Sequence, residues 1–397
     1  MKKKIMLITP MLHQGGFERI CVMTARLLAK EYDVYVAVFS MEDVAFDISG
    51  LHIIDLGLES RQGKLAKVLN VFKRSLKLSG VQKKIGIDIS YSFGMTANIA
   101  NALTNGAQKK ITACHSFEEI KNRFYMKLIS RFSDKVLCCS KKMTDLVEKT
   151  YGFSNVETIW NPCDTEEIRQ LSDRKGSEDM IFWETKDKVL VSMGREDDVK
   201  GFWHLIKVFK GVNEKQPDTR LAIIGDGTFD EYRELVQKLD LEDKVLFTGL
   251  KRNPFPYLKE SDLYLLTSIS EGLPNALVEA LAVSLPIVSV NCLSGPAEIL
   301  HRDWKVAEAK IEVFGADYGV LTPALSPSKN LCAEFEEKED GREIKLEDAE
   351  KQFVDGILLM LNDTELYNKY SQLAGERAED FSKEAYLKKL ISCMEAL

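Results

Sequence analysis

Short apolar runs alternate with amphipathic stretches along most of this chain of 397 residues. The apolar runs have the length of β-strands, and the stretches between them have helical spacing. This alternation is typical of βαβ units, in which helices cover a buried parallel sheet. In the first half it predicts the strands Lys4–Ile8, Val34–Phe39, His52–Asp55, Ile87–Ser90, Lys110–Cys114, Lys135–Cys139 and Val156–Ile159. In the second half it predicts the strands Lys188–Ser192, Arg220–Ile224, Val245–Thr248, Leu263–Thr267 and Pro286–Ser289.

The pattern therefore predicts an α/β protein with two doubly wound domains in tandem, each holding its ligand at the carboxyl ends of its strands. We expect residues 1–163 plus 376–397 in the N-terminal domain and residues 164–375 in the C-terminal domain. The predicted helices are Glu18–Glu31, Leu65–Leu78, Phe124–Phe132, Trp203–Lys210, Asp230–Lys238, Ala276–Val283 and Val354–Leu361.

Three segments fall outside this alternation. Asn161 to Asp187 contains a proline, a glycine and dense charge, which predicts a linker. His301 to Asp348 is predicted to be an inserted surface loop, because its acidic, lysine-rich part (Glu334 to Glu350) lacks strand periodicity. The last stretch, Glu376 to Leu397, is predicted to be a separate amphipathic helix.

Charge is unevenly distributed within the net −7. Residues 1–180 contain 27 Lys and Arg against 21 Asp and Glu, whereas residues 181–397 contain 27 against 40. The basic excess fits ordinary surface variation, or a face that meets anionic lipid or an anionic acceptor. We expect no nucleic-acid partner.

Cysteine usage and hydropathy indicate a cytoplasmic protein. The eight cysteines show no CxxC spacing, and several lie in apolar runs, as buried free thiols of a reducing compartment do. The apolar run after the first three lysines is too short for a signal peptide, and no run approaches the ~20 residues of a membrane span. We expect a soluble or peripheral protein, located in the cytoplasm or at the inner face of the cell membrane.

Two carboxylates, Glu271 and Glu279, stand on either side of a predicted helix start. The buried strand 262–267 precedes them, and Pro274 suits the first helical position because its missing N–H is not needed there. Glu271 would lie in the loop and Glu279 roughly a turn and a half along the helix, at ~1.5 Å rise per residue.

The helix start between these carboxylates is a potential phosphate site. Asn275, Ala276 and Leu277 would present free N–H groups at the positive end of the helix. A phosphate beside two carboxylates that bind hydroxyls fits a nucleotide-sugar. The alternative is an ordinary strand–loop–helix, since acidic residues favour helix N-termini in any case.

Two cations follow the first strand of the second series. Arg195, after Gly194, is suited to bidentate binding of a diphosphate, and Lys200, before Gly201, to binding it as a point charge. The alternative is a pair of solvated surface charges. Their position at the carboxyl end of a strand favours a ligand-binding role.

Two further candidates follow strands of the first series. His115 can hydrogen-bond a sugar hydroxyl and orient it, although a structural histidine fits equally well. Gly15 and Gly16 let the backbone approach a phosphate or sugar, although a structural turn is the simpler explanation. There is no GxGxxG, which disfavours an ordinary dinucleotide site.

Metal and cofactor signals are absent from the sequence. No Asp-x-Asp occurs, and no His/Cys cluster has metal-ligand spacing. We expect neither a cofactor nor a metal, so that phosphate charge is met by Arg195, Lys200 and the helix N-terminus. The Gly225–Gly227 segment is interpreted as a tight turn.

A basic amphipathic helix is predicted near residue 70. Its apolar stripe consists of Leu65, Val68, Leu69, Phe72 and Leu76, and its flanking cations are Lys64, Lys67, Lys73, Arg74 and Lys77. The favoured interpretation is a helix packed on the N-terminal sheet. The alternative is docking on an anionic membrane that contains a lipid-linked acceptor.

Together, these motifs resemble those of the retaining glycosyltransferases of family 4, including members that build bacterial surface polysaccharides. The match runs in order from the first glycines to the final helix, and only the region from His301 to Tyr318 departs from the family pattern. The matching segments are Gly15-Gly16-Phe17-Glu18-Arg19, His115, Asp134-Lys135-Val136 with Ser140, Asn161-Pro162-Cys163-Asp164, Gly194-Arg195, Lys200-Gly201, Gly225-Asp226-Gly227, Glu271 with Glu279, Gly295-Pro296-Ala297-Glu298-Ile299-Leu300 and Tyr318-Gly319-Val320-Leu321-Thr322-Pro323.

The resemblance implies a GT-B fold, with two Rossmann-like domains facing across a cleft, and a set of roles. Its donor diphosphate would be bound by Gly16, Arg195, Lys200, Asn275, Ala276 and Leu277. The donor sugar would contact His115, Glu271, Gly272 and Leu273, with His115 and Glu271 nearest the reaction. The nucleoside would be bound by Glu279, Lys251, Arg252 and Asn253.

The resulting hypothesis is a metal-independent retaining glycosyltransferase. It would move a hexose or N-acetylhexosamine from a nucleotide diphosphate, expected to be UDP, to a lipid-linked or oligosaccharide acceptor. Front-face substitution, in which the departing phosphate oxygen takes the acceptor's proton, is the family's usual explanation for retention. The alternatives are a sugar-nucleotide epimerase on the same fold and a two-lobed nucleotide-sugar-binding protein without catalysis.

Overall fold

The computed structural model describes residues 2–13, 15–58, 64–174, 176, 178–338 and 341–397, with side chains described at all of these except 64–68, 178–179 and 338. The strands are Lys4–Thr9 (β1), Asp33–Val38 (β2), His52–Asp55 (β3), Ile89–Phe93 (β4), Lys109–Cys114 (β5), Lys135–Cys138 (β6), Val156–Thr158 (β7), Lys188–Met193 (β8), Thr219–Ile224 (β9), Val245–Gly249 (β10), Leu263–Leu266 (β11), Ile287–Val290 (β12), Phe314–Gly315 (β13), Val320–Thr322 (β14), Phe335–Lys338 (β15) and Gly341–Ile344 (β16). The helices are Gly16–Leu28 (α1), Lys64–Ile85 (α2), Met95–Ala102 (α3), Phe117–Lys121 (α4), Arg123–Phe132 (α5), Lys141–Tyr151 (α6), Thr165–Ser172 (α7), Phe202–Lys215 (α8), Asp230–Lys238 (α9), Phe255–Lys259 (α10), Asn275–Ala282 (α11), Pro296–Leu300 (α12), Trp304–Glu308 (α13), Asp348–Asn362 (α14), Thr364–Glu379 (α15) and Lys383–Glu395 (α16).

Two compact units divide the chain. The first contains Met1–Pro162 and Lys383–Leu397, and the second contains Cys163–Ser382. Each unit holds one seven-stranded sheet. The predicted fold class, two doubly wound parallel-sheet domains, is therefore confirmed.

The sheet of the first unit has the strand order β3-β2-β1-β4-β5-β6-β7, and all its neighbouring strands are parallel. Side chains of β1 alternate between its two faces. Ile5 and Leu7 pack with residues of α1 and α16, whereas Met6 and Ile8 pack with residues of α2 and α3. The order reverses between β1 and β4, so the carboxyl ends of these strands bound the crevice in which doubly wound sheets hold ligands.

The sheet of the second unit repeats this plan in the order β10-β9-β8-β11-β12-β14-β13. Only β13 is antiparallel to its neighbour. Leu190 and Leu265 of the two central strands are fully buried, and they belong to the same core as Phe209 of α8 and Ile357 of α14. The reversal point of this sheet lies between β8 and β11.

From Cys163 onwards, the segment predicted to be a linker is a packed part of the second unit. Within it, α7 begins after Asp164, whose carboxylate accepts the amide of Glu167 at 3.1 Å. Ile168 is buried, and the indole Nε1 of Trp183 donates to Ser261 Oγ at 2.9 Å. The dense charge and the proline of this segment led the sequence analysis to miss the packing of Ile168 and Trp183.

The predicted C-terminal helix is two helices. α15 continues to Glu379, the buried Phe381 follows, and α16 begins at Lys383. The Cys163 amide donates to the carbonyl of Phe381 at 2.8 Å, which ties this break to the start of the second unit. The chain therefore returns to the first unit at residue 383, and the predicted return at 376 falls inside α15.

The predicted loop between 301 and 348 contains regular structure. β14 pairs with β12, and β15 pairs with β16 as a hairpin. Ile344 is buried in the core of the second unit, and Phe335 packs on the same core. The guanidinium carbon of Arg342 lies 4.3 Å from the ring centre of Phe335. Residues 339–340 of the acidic run lie outside the described residues. Charged side chains on the hairpin obscured the alternation of apolar and polar residues from which its strands could have been predicted.

Seven of the eight cysteines are buried, all eight are free, and only Cys332 is exposed. This confirms the prediction of buried free thiols. Among the helices of the described residues, none combines the length and the hydropathy that crossing a membrane requires.

Helix α2 packs on the first sheet, but not through its apolar stripe. Leu69, Phe72 and Leu76 are 62%, 55% and 74% exposed, so the prediction that they pack on the sheet is wrong. Arg74 is buried instead, where it donates twice to the carbonyl of Leu58. The side chains of Lys64, Leu65, Lys67 and Val68 lie outside the described residues.

A buried ionisable pair joins α8 to α14. The Nδ1 atom of His204 lies 2.6 Å from Glu350 Oε1, and Nε2 lies 2.9 Å from the carbonyl oxygen of Ser326. Both side chains are 1% exposed. Both ring nitrogens of His204 therefore lie within hydrogen-bonding distance of a buried oxygen, which ties α8 to α14 and to the segment that contains Ser326.

Replacing His204 with leucine should destabilise the second unit by about 3–5 kcal/mol, because Glu350 would remain buried without its partner. Urea unfolding followed by tryptophan fluorescence measures this, since Trp183, Trp203 and Trp304 lie in that unit.

The matched control for this substitution is Lys351→Ala, which removes the partner of the exposed Asp348 on the same helix. It should change the free energy of unfolding by less than ~1 kcal/mol. Equal effects of the two substitutions would contradict the importance of the buried pair.

Candidate functional site

The reversal point of the second sheet collects the predicted cations and one predicted carboxylate. Arg195 and Lys200 lie in the loop after β8, and Glu271 lies in the loop after β11. Because β8 and β11 are parallel neighbours, both loops leave the same edge of the sheet.

Lys200 and Glu271 form an ion pair at this edge. Lys200 Nζ lies 2.6 Å from Glu271 Oε1, and the two side chains are 24% and 12% exposed. The stem of Lys200 runs along Gly194, where an added Cβ would stand 3.2 Å from the lysine Cδ and Cε. A pair this short and this shielded from water holds both groups in fixed positions.

Gly201 lets the two loops approach each other. Its φ is +63°, and an added Cβ would overlap the carbonyl oxygen of Thr267. Thr267 Oγ1 donates to the carbonyl of Lys200 at 3.1 Å, and the Ile269 amide donates to the carbonyl of Val199 at 2.7 Å. Only glycine satisfies both the left-handed backbone and the close approach.

Of the two cations after β8, Arg195 is the exposed one. Its Nη2 lies 2.9 Å from Asp197 Oδ2, and three-quarters of its side chain is exposed. The neighbouring Gly225 packs on the backbone of Gly194 so closely that a Cβ would overlap the Gly194 carbonyl oxygen. Gly225–Gly227 is thus a supporting turn, in keeping with its interpretation from sequence.

The start of α11 differs in detail from the prediction. The helix begins at Asn275, and Pro274 is its N-cap rather than its first residue. Leu277 does not present a free N–H, because its amide donates to the carbonyl of Pro274 at 3.0 Å. This tight first turn leaves the amide of Ala276 without an acceptor among the described residues.

The loop before α11 is buried and braced. Gly272 and Leu273 are both buried, and the Gly272 carbonyl accepts from Ser294 Oγ at 2.8 Å. Glu279 is buried one turn along α11. The carboxylates of Glu271 and Glu279 therefore belong to the same corner of the second unit, on either side of the helix start.

Tyr264 is a residue of this corner that the sequence reasoning missed. Burial raises the pKa of its phenol, and the charges of Glu279 and Glu271 raise it further, which puts the ring near both carboxylates. Its hydroxyl donates to the carbonyl of Met193 at 3.4 Å. A tyrosine within the apolar run of β11 was the available signal.

Three of the four residues predicted for the nucleoside follow β10, at the same edge of the sheet. Arg252 is exposed, and Lys251 Nζ lies 5.5 Å from the ring centre of Tyr257. The Asn253 amide donates to the carbonyl of Leu171 at 2.9 Å, while its oxygen accepts the Phe255 amide at 3.3 Å. Asn253 therefore has a structural role in fastening α10.

His115 follows β5 in the first unit. Its ring stacks on Phe93 with the two ring centres 5.9 Å apart, and neither buried ring nitrogen makes a hydrogen bond of ordinary geometry among the described residues. Burial lowers the pKa of His115 to about 4, and the side chain of Asn161 offsets part of this effect. The imidazole is therefore neutral at pH 7.

The glycines after β1 lie at the start of α1, where the first sheet reverses. Gly15 is the N-cap, and Gly16 is the exposed first residue of the helix. The Glu18 carboxylate folds back over Gly15. After β4, on the other side of the reversal point, Gly94 packs against the ring of Phe17; this contact was not predicted.

No group of three or more His, Cys, Asp or Glu side chains able to hold a metal ion is present in the part of the chain that the structure describes. Cations and backbone amides are the groups of the second unit that suit an anionic ligand.

The low pKa of His115 predicts a pH-dependent contribution to stability. At pH 5 the unfolded imidazole is charged and the folded one is not, so His115 should lower the free energy of unfolding by about 2 kcal/mol relative to pH 7. The free energy of unfolding of His115→Asn, measured relative to that of the wild type in urea, should therefore be about 2 kcal/mol higher at pH 5 than at pH 7. The control is His52→Asn, at an exposed position of the same unit. An equal gain in both variants would rule out the burial of His115 as its cause.

Two family models match the chain. The model described as "Glycosyltransferase Family 4" matches residues 14–167, and the model described as "Glycosyl transferases group 1" matches residues 174–305. The first range contains Gly16 and His115, and the second contains Lys200, Glu271 and Glu279.

Relatives of known sequence extend this likeness. An uncharacterized glycosyltransferase of Methanocaldococcus jannaschii is 31% identical over 284 residues, covering 68% of this chain and 67% of that protein. The N-acetylgalactosamine-N,N'-diacetylbacillosaminyl-diphospho-undecaprenol 4-alpha-N-acetylgalactosaminyltransferase of Campylobacter jejuni is 26% identical, covering 94% of each protein.

A solved structure agrees in fold. The crystal structure of Anabaena HepE in complex with UDP has a TM-score of 0.73 at 18% identity, covering 99% of this chain and all of the other. With two family models in order along both units and a relative above 30% identity, the chain belongs to the family 4 glycosyltransferases with the GT-B fold.

Proposed function

We propose that this protein is a retaining glycosyltransferase that needs no metal ion, and that it moves a hexose or N-acetylhexosamine from a UDP-sugar to a lipid-linked or oligosaccharide acceptor. The observation that carries the proposal is the Lys200–Glu271 pair at the reversal point of the second sheet. The relative from Campylobacter, named for transfer to a diphospho-undecaprenol-linked sugar, and the complex of HepE with UDP support these substrate classes.

Donor binding would proceed by exchange of partners. The ammonium group of Lys200 has three N–H donors, and a diphosphate carries more negative charge than the single carboxylate of Glu271 and so attracts it more strongly. When Lys200 turns to the diphosphate, Glu271 is released to accept hydroxyls of the sugar. Arg195 and the amide of Ala276 supply further positive charge for the phosphates, so the charge can be met without a metal.

The nucleoside would be held one turn further along α11. A carboxylate accepts two hydroxyl hydrogen bonds, which suits Glu279 to a ribose. The exposed Arg252 would lie against the base, at the same edge of the sheet. Glu279 would therefore set nucleotide affinity, while Glu271 would set sugar placement and rate.

Transfer with retention would use the donor's own phosphate as base. As the glycosidic bond breaks, charge grows on the departing diphosphate, where Lys200 and Arg195 stabilise it more than in the ground state. The phosphate oxygen then takes the proton of the attacking acceptor hydroxyl on the same face of the sugar. His115, neutral at pH 7, would hydrogen-bond the sugar beside the anomeric carbon.

The exposed stripe on α2 supports a lipid-linked acceptor. Leu69, Phe72 and Leu76 share one face and are mostly exposed, and the exposed Lys73 lies among them. An apolar face with cations beside it binds anionic lipid surfaces, where each cation contributes ~1 kcal/mol. We infer that this face holds the first unit on the cytoplasmic membrane, as peripheral association.

Lys200→Met should weaken UDP binding by roughly 10- to 100-fold, because a charge-assisted contact is worth about 1.5–3 kcal/mol. Calorimetry with UDP measures it. Lys188→Met is the matched control, since it removes a lysine ion pair with Asp262 at the opposite end of β8.

Glu279→Ala should weaken UDP binding too. Glu271→Ala should not, because it frees Lys200, yet sugar transfer should nearly vanish.

The donor for these assays is found first with a panel of nucleotide-sugars, since the right donor raises the melting temperature by mass action. Wild-type transfer rates in both Lys200→Met and Glu271→Ala would refute the site. Unchanged UDP affinity in Glu279→Ala would refute the division of roles.

Replacing Leu69, Phe72 and Leu76 together with glutamine should reduce binding to anionic vesicles at least tenfold, since the variant loses the apolar face. Flotation with vesicles of phosphatidylcholine and phosphatidylglycerol measures this, and pure phosphatidylcholine should bind weakly. The control is Ile311→Gln, at an exposed apolar position of the second unit. Equal flotation of both variants would contradict the membrane role.

A further inference from the structure

Glu119 lies directly beneath the turn that presents His115. Its Oε2 atom accepts the backbone amide of His115 at 2.7 Å and that of Ser116 at 3.1 Å. In return, Ser116 Oγ accepts the Glu119 amide at 3.4 Å, which completes a capping box at the start of α4. One carboxylate oxygen thus holds two consecutive amides of the His115–Ser116 turn.

The other carboxylate oxygen is tied to the interior of the first unit. Tyr125 donates its hydroxyl to Glu119 Oε1 at 3.2 Å, and Asn98 donates to the Tyr125 hydroxyl at 2.7 Å. Asn98 also donates to the carbonyl of Ala113 at 2.6 Å. The chain of bonds therefore connects the turn after β5 back to β5 itself, through α5 and α3.

This arrangement exceeds what capping α4 requires. The helix has five residues, and an ordinary cap contributes about 1 kcal/mol. Glu119 is 6% exposed, and burial raises the pKa of its carboxyl to about 7. The hydrogen bonds from the backbone and from Tyr125 lower this pKa, but they only partly offset the effect of burial. Burying an ionisable group at such cost indicates that the geometry of the turn matters.

The ring of His115 depends on this turn for its position. Neither ring nitrogen makes a hydrogen bond of ordinary geometry among the described residues, although the side chain of Asn161 lies close enough to raise the pKa of His115. The position of the ring therefore depends largely on the backbone of the turn, together with the stacking on Phe93 and the Asn161 side chain. A small shift of the turn would therefore move the imidazole.

We propose that Glu119 is a positioning residue for His115: its carboxylate clamps the His115–Ser116 backbone so that the imidazole stays aligned with the donor sugar. This inference rests on the proposed function, in which His115 contacts that sugar. Loss of the clamp would then slow transfer without weakening the hold on the nucleotide, which the second unit supplies.

The kinetic test compares Glu119→Ala with Glu118→Ala. Glu118 is the adjacent residue, and its exposed carboxylate pairs with Lys121 at 3.2 Å. Glu119→Ala should lower kcat at least tenfold and leave the Kd for UDP within twofold of the wild type, whereas Glu118→Ala should match the wild type in both. Glu119→Gln should recover most of kcat, because its amide oxygen can still accept the two backbone N–H groups.

A second readout tests the clamp without any turnover. In protein labelled with ¹⁵N-histidine, the five histidines give five amide signals, and a substitution at His115 assigns one of them. Glu119→Gln should move the His115 signal, since a carboxylate is replaced by a weaker acceptor at its amide, and Glu118→Gln should not. This measurement stands even if Glu119→Ala does not fold.

The outcomes separate the two proposals. An unmoved His115 signal in Glu119→Gln, or a kcat of Glu119→Ala equal to that of Glu118→Ala, overturns the positioning role. If the wild type transfers no sugar from any nucleotide-sugar while the His115 signal moves as expected, the clamp exists and the proposed function fails.

Discussion

The ion pair of Lys200 and Glu271 is the interaction on which the second unit's site depends. It joins the loops after β8 and β11, the two strands between which the strand order reverses. Removing one partner would leave the other charge in a position largely shielded from water, which is costly. The pair therefore fixes both loops, and on the proposed function a donor diphosphate takes over the role of Glu271. Binding the donor then releases a carboxylate where the sugar needs an acceptor for its hydroxyls.

The backbone makes that pairing possible. Gly201 and Gly225 stand where any side chain would overlap a carbonyl oxygen, of Thr267 in one case and of Gly194 in the other. These contacts bring three strand ends so close that Lys200 reaches Glu271 along the face of Gly194. The cations are exposed or half-buried, but the loops that hold them are as tightly packed as the core.

Sequence alone predicted the sheets and their ligand-binding edges, because buried parallel strands appear as uninterrupted apolar runs and their carboxyl ends share one edge. The sequence was a poor guide where apolar periodicity alone does not show which face of a helix is buried. On α2 the periodicity identified the stripe of Leu69, Phe72 and Leu76, but Arg74 packs inward because the carbonyl of Leu58 satisfies its donors. The roles of Tyr264 and Glu119 were also missed, since their partners are distant in sequence or belong to the backbone.

On the proposed function, the two units supply groups of different charge. The second unit offers Lys200 and Arg195, which suit the charge that grows on a departing diphosphate. The first unit offers His115, whose burial keeps it neutral at pH 7. On the proposed function this difference has a physical reason: the sugar acquires positive charge as its glycosidic bond breaks, so an imidazolium beside it would oppose the reaction, whereas a neutral ring does not. Burial keeps His115 neutral, and because its ring makes no hydrogen bond of ordinary geometry among the described residues, the position of the ring depends largely on the backbone turn that Glu119 holds.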